Sequence, residues 1–522
     1  MNTFLHKHAS KVIGVLNGFD RLIFRGGLRR LVFLEGMKSY LSVSHILLKD
    51  FAKHVSAVTS FIKEAAVQLA QRTSRPMIYL PSSLTDKEKT ARRIAEQDGI
   101  KEGLICVLTC VEPCVTFDIH RNRENKRLDL VVRQRKCLHV YHYSIHPLFG
   151  FMNARLQTWF PFNIQICLNG REWLSRQMDQ ASIAYQKKGN CFTWMEDPQK
   201  AQKLMDDQLR MPWPSLLTQI ARLLNPAHEE IFKEFTTDYY WSAYQTEWST
   251  DILFRTAEEL AQLYPSLVYH AVATFSSPDV LRFLGRKIPP EGVIPPAFTG
   301  EVVTDFKHRP EGIRVKHRVK SNSIKMYDKQ GSVLRIETTI NDPSDFKVYR
   351  RKESDQDGSL SWLRMRKGIA DLKRRADVSQ SSNNRYVHAL ASAQNTIPLK
   401  DLADNLCRPV IWKGKRVRPL NPYSPEDASL LEAVSRGEFN INGFRNRDLR
   451  SLLFGQDETS DQDKRRRSAA ITRKIRILRA HGVITKVPKT HRYTLTEKGR
   501  LAATALLTAR NADAVSLTKF AA

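Results

Sequence analysis

"IKMYDKQGSVLRIETTI", residues 324–340, reads as two short strands joined by a turn at Lys-Gln-Gly. Ile324, Met326, Leu334 and Ile336 alternate onto one face. Lys325, Tyr327, Lys329, Arg335 and Glu337 fall on the other. A solvated face would account for that pattern. So would a surface that grips phosphates, with Glu337 orienting a cation or holding a metal. The preceding run "GIRVKHRV" extends the theme, because Arg314, Lys316 and Arg318 alternate with Ile313, Val315 and His317. Three strands with one basic face form a phosphate platform on which Tyr327 can stack a base.

The bulk numbers agree with a polyanionic partner. The 522 residues carry 83 Lys and Arg against 54 Asp and Glu, a net charge of +29. Such a field attracts nucleic acid. A membrane is the poorer partner, since the cations are spread over many segments and no run of about 18 apolar residues occurs. The N-terminal "MNTFLHKHASKVIGVLNGFDRLIFRGG" lacks the apolar core and small-residue cleavage site of a signal peptide. Seven cysteines without paired spacing fit free core thiols in a cytoplasmic protein.

The pattern predicts an α+β, multidomain fold, with antiparallel β-sheet core modules, many helices and a C-terminal winged helix. Residues 1–102 read as mainly helical, and "GFDRLIFRGGLRRL" within them as a basic surface turn. Residues 103–285 form an α+β module: β-like runs to 168, then helices, the first capped by Asn169. Residues 286–300, "RKIPPEGVIPPAFTG", are a Pro-rich connector. Residues 301–400 are the basic sheet module, and 424–505 the last domain.

That last domain has the most specific pattern. "SPEDASLLEAVSRGE" is a helix started by Ser424 and Pro425, "FRNRDLRSLLF" a second, and "KRRRSAAITRKIRILRAHGVI" a third that ends at Gly482. Lys464 to His481 hold eight Lys or Arg and no acid. Ile471, Ile475 and Leu478 make its inward seam, leaving Arg465, Arg466, Arg467, Arg473, Lys474 and Arg476 on other faces. A hairpin with Lys486, Lys489, His491 and Arg492 follows. The run "ILRAHGVITKVPKTHRYTLTEKGR" resembles the recognition helix and wing of winged-helix DNA-binding proteins, including MarR-type regulators. The resemblance covers about 75 residues and implies a helix in the major groove with the wing on the adjacent backbone.

"K-x-Y-D-K…L-R-I-E" also resembles a short run in plasmid and phage replication initiators, where the arginine and glutamate lie near a metal-dependent nicking site. That resemblance implies a tyrosine nucleophile and a metal, Mg or Mn. Read as a helix, "DYYWSAYQTEWSTDILF" puts Tyr240, Tyr244, Glu247 and Asp251 on one stripe. Glu337, Tyr240 and Tyr244 are thus the catalytic candidates, and Asp118, His120, Glu247 and Asp251 the metal ligands. A three-carboxylate recombinase or transposase is the other enzymatic option. Together these readings point to a DNA-binding protein of a mobile element or replicon that cleaves or joins strands. The alternatives are a non-catalytic transcription regulator and an RNA or single-strand binding protein.

Overall fold

In the computed structural model the described residues are 1–225, 227–289, 294, 298, 300–352, 354, 358–391, 399–436, 439, 443–455, 460–488 and 490–511. Most of the connector proposed at 286–300 lies outside them. The fold is α+β and multidomain, as expected. The chain divides into two compact units, Met1–Val12 with Thr256–Asp328 and Ser382–Ala522, and Ile13–Arg255 with Lys329–Ser381. These units do not follow the linear segments read from the sequence.

Thirteen strands carry the argument: β1 Val12–Leu28, β2 Met77–Leu80, β3 Gly103–Asn122, β4 Arg127–His146, β5 Gly150–Gln157, β6 Ile164–Asn169, β7 Tyr185–Lys188, β8 Cys191–Met195, β9 Tyr239–Phe254, β10 Val302–Arg309, β11 Gly312–Val319, β12 Asn322–Lys329 and β13 Val333–Ile340. In the unit that starts at Ile13, the sheet runs β13-β9-β1-β6-β5-β4-β3-β2. Its β3–β4, β4–β5, β5–β6, β1–β6 and β13–β9 pairs are antiparallel, and β2 lies parallel to β3. β7 and β8 form a separate hairpin. The β-like reading of 103–168 and the Asn169 cap are both observed. Asn169 Oδ1 accepts from the backbone N–H groups of Arg171 and Glu172.

Two expectations fail here. "GFDRLIFRGGLRRL" is no surface turn: most of it lies in β1, a 17-residue strand that includes buried Leu16, Leu22 and Phe24. Its glycines are points of close approach. A Cβ on Gly18 would stand 2.3 Å from Met205 Cε, and one on Gly26 2.7 Å from Ile164 Cγ2. The segment read as a helix with Tyr240, Tyr244, Glu247 and Asp251 on one stripe is β9. Its tyrosines, tryptophans, threonines and isoleucine suit a strand, and burial on both faces hides the two-residue period.

In the other unit β10–β11–β12 form an antiparallel meander. Behind it, Tyr264 Oη donates to the carbonyl of Ile313 at 2.7 Å, and His317 meets Tyr386 Oη at 3.0 Å. The C-terminal part has its own core, which includes Leu430, Leu449, Ile471, Ile475, Leu478, Val483 and Leu495. Its elements follow in the order helix Pro425–Ser435, helix Asn446–Phe454, helix Asp461–Ala480, strand Ile484–Lys486, strand Tyr493–Leu495 and helix Glu497–Asn511. Phe444 adds an isolated antiparallel bridge to Tyr493 beside the two-stranded hairpin. Gly482, at φ +69°, ends the long helix as anticipated.

Candidate functional site

Three carboxylates converge in the unit that starts at Ile13. Asp20 on β1, Glu247 on β9 and Glu337 on β13 bring ligand oxygens within 4.8 Å of one another. The β9–β13 register sets this up. Arg335 pairs with Asp251, Glu337 with Ser249 and Thr339 with Glu247, so all the odd-numbered side chains share one face. Asp20 and Glu337 are each only 3% exposed, and Glu247 is half-buried.

A buried charge network stands beside them. Arg335 is fully buried, and its Nε and Nη2 bond Asp251 Oδ1 and Oδ2 at 2.6 and 2.9 Å. Its Nη1 reaches Asp20 Oδ2 at 3.2 Å, and Nη2 also donates to the carbonyl of Asn190 at 2.8 Å. Arg171, fully buried too, adds an ion pair to Asp251 at 3.0 Å. Asn190 Nδ2 donates to both oxygens of Asp20 at 2.8 Å.

The two aspartates respond differently. Burial raises the carboxyl of Asp251, but Arg335 and Arg171 outweigh it and hold the group below the usual aspartate range. Burial likewise raises Asp20. There Arg335 pulls down, Glu337 pushes up, and the net is upward. Asp251 is therefore the guanidiniums' counter-ion. Asp20 crowds a second carboxylate, a repulsion that a cation would relieve. Three hard oxygen donors suit Mg or Mn and not a thiolate-seeking metal.

The metal set expected from the sequence does not assemble. Asp118 is held by Arg135 at 2.9 Å and Arg133 at 3.4 Å on the β3–β4 pair, and His120 is exposed. Asp251 is committed to the arginines, and Glu247 joins the triad. Tyr240 and Tyr244 are exposed and lie on the opposite face of β9 from Glu247. The guanidinium of Arg29 lies 4.0 Å from the Tyr240 ring centroid. A tyrosine nucleophile next to Glu337 thus loses its geometry.

The basic platform is largely covered. Arg314 faces Tyr327 and Lys316 faces Lys325 across β11–β12, as the alternation requires. Arg314, Lys325, Tyr327 and Lys329 are nevertheless buried, and Arg335 is fully so. Arg314 bonds Asp305 at 2.9 Å. Lys316 is half-buried, and burial followed by Lys325 lowers its pKa. Arg318 alone among the alternating β11 cations is exposed. Neither the solvated face nor the open platform describes β12 and β13.

On the helix Asp461–Ala480, Ile471, Ile475 and Leu478 are buried, as the seam required. Arg465, Arg473 and Arg476 are exposed at i, i+8 and i+11, along one stripe. Arg466 is exposed but pairs with Asp463, Arg467 donates to the carbonyl of Phe454, and Lys474 bonds Glu426 across to the helix Pro425–Ser435. Lys486 and His491 are exposed on the hairpin and Arg492 is half-buried; Lys489 lies outside the described residues.

The cysteines also depart from expectation, because Cys114 and Cys137 are disulfide-bonded across β3 and β4. His139 lies beside them, its pKa pushed down to about 4 by burial and then by Arg155. Spacing along the chain does not show a partner on the neighbouring strand.

A cleft of about 310 Å³ opens beside the triad, with Asp20, Glu247, Arg21, Arg92, Phe151 and Asn190 among its walls. Sequence reasoning reached Glu247 and Glu337 and missed Asp20, Arg171 and Asn190. The available cue for Asp20 was the apolar flanks "VIGVL" and "LIF", which make its segment a strand. No family model, curated protein or solved structure matches the chain.

Proposed function

We propose that this is a DNA-binding protein of a mobile element or replicon, which recognises its site through a C-terminal winged helix and cleaves or joins strands in a metal-dependent way. The observation that carries the reading is the convergence of Asp20, Glu247 and Glu337 in a chain with a net charge of +29. The exposed stripe of Arg465, Arg473 and Arg476, followed by a basic hairpin, supports the DNA partner. Its helix order and flanking Phe444 bridge are those expected of a winged helix.

Asp20, Glu247 and Glu337 would hold Mg or Mn. When bound, such an ion polarises a phosphate and lowers the pKa of its water. Arg335 and Asn190 orient Asp20. With the tyrosines on the opposite face, water or a strand's 3′-hydroxyl is the nucleophile this arrangement serves.

Supercoiled plasmid incubated with Mg or Mn should be nicked. Asp20→Asn and Glu337→Gln should each lower the rate at least ~100-fold, since even outer-shell changes at metal sites cost roughly 10–100-fold. Duplex binding should stay unchanged. Binding without any nicking would favour the regulator reading, in which Asp20 serves only as a counter-ion of Arg335.

A further inference from the structure

The cleft beside the triad is built from three kinds of surface. Asp20, Glu247, Glu88 and Glu172 supply carboxylates. Arg21 and Arg92 supply two guanidiniums. Arg92 lies 3.9 Å over the ring of Phe151 and is fixed by two hydrogen bonds to Glu88, at 2.9 and 2.8 Å. Amides from Asn153, Asn169 and Asn190 are also part of the wall.

This combination is selective. The polar lining excludes a purely apolar ligand. Four carboxylates would repel an anion unless a divalent cation bridged it to them; Arg21 and Arg92, the latter paired with Glu88, offset only part of that charge. A ligand that is at once anionic, metal-chelating and aromatic satisfies all three surfaces. At about 310 Å³ the space is at the small end of the roughly 300–1,000 Å³ range for ligand sites, room for one nucleotide and too little for a duplex. An aromatic ring capped by a guanidinium is a recurrent platform for an unstacked base.

We propose that the cleft seats a single unstacked nucleotide, its phosphate facing Asp20 and Glu247 across a divalent cation and its base on the Phe151–Arg92 platform. The inference rests on the metal-dependent reading above and names what that site takes. The nucleotide is either free or an unpaired residue of a DNA strand, as in enzymes that extrude a base before acting on it.

Two probes distinguish these sources, used with the full chain in Mg at fixed salt. One is mant-dATP. The other is an oligonucleotide with one unpaired 2-aminopurine. Saturable fluorescence from the first identifies a free nucleotide, and a response from the second alone identifies a strand. Either should weaken at least tenfold in Phe151→Ala and in Arg92→Gln, with binding of a fully paired duplex unchanged as the control for folding. Silence from both probes, or equal responses in wild type and both variants, overturns the inference. Nicking with silent probes removes the cleft reading alone. Probe binding without nicking removes catalysis and leaves the cleft.

Discussion

At the residue scale, neighbouring acids on one sheet face have opposite tasks. Asp251 neutralises two buried guanidiniums, whereas Glu337 stands with other carboxylates. Removing one partner of a buried ion pair typically costs about 3–5 kcal/mol. Arg335→Met should therefore destabilise the protein by about that much in urea unfolding, because it leaves Asp251 and Asp20 without their shared guanidinium. Glu337→Gln removes a charge from the carboxylate group and should abolish metal-dependent nicking while duplex binding persists. The alternation around Arg335 and Glu337 was legible as a charged strand face. Its burial was not, because charge alternation on a strand looks the same whether the face is open or covered. Asp251 was read as a ligand for the same reason: sequence shows an acid, but not the arginine from another strand that claims it.

At the element scale, β1 and β9 were the hardest to read. Glycines usually argue against a strand, yet here Gly18 and Gly26 admit side chains from packed neighbours. Gly18→Ala should overpack against Met205 and cost about 1–3 kcal/mol, measurable by thermal unfolding. The helix Asp461–Ala480, by contrast, was legible in its seam and its end, whereas which of its cations stay open was not. If Arg473 and Arg476 contact phosphates, alanine at each should reduce the slope of log K against log salt by about 0.9. Lys474→Ala should change that slope little, since Lys474 is turned to Glu426.

The start of the same domain has its own acid dependence. Arg418 bonds both oxygens of Asp427 at 2.8 Å, and the backbone N–H of Asn421 adds a third bond. Burial raises the Asp427 carboxyl, but Arg418 and that N–H outweigh it, so the folded pKa lies below the unfolded one. Its contribution is present above the ordinary aspartate range and is lost as pH falls through the lower folded value. Asp427→Asn should flatten the acid limb of the stability profile below about pH 4.

For the whole molecule, the excess of cations sets the expectation. Binding to duplex DNA that uses six or more phosphate contacts should weaken on the order of 10³-fold or more between 50 and 200 mM salt. A flat salt response would mean that the +29 charge is not applied to a phosphate backbone. Apart from β1 and β9, most strands and helices could be recognised locally, but their neighbours could not. The triad draws on positions 20, 247 and 337, which only the sheet order brings together.

The interleaving of the two units also governs how the chain is made. Met1 donates to the carbonyl of Asn384, and Lys7 to that of Ala391, across a separation of more than 380 residues. At about 5–20 residues per second, the first residues wait roughly 20–80 s before those partners are synthesised. Residues 1–7 are thus made long before Asn384 and Ala391, and these hydrogen bonds form only once both ends of each are present. A chain that stops before residue 384 leaves Met1 and Lys7 without these two acceptors.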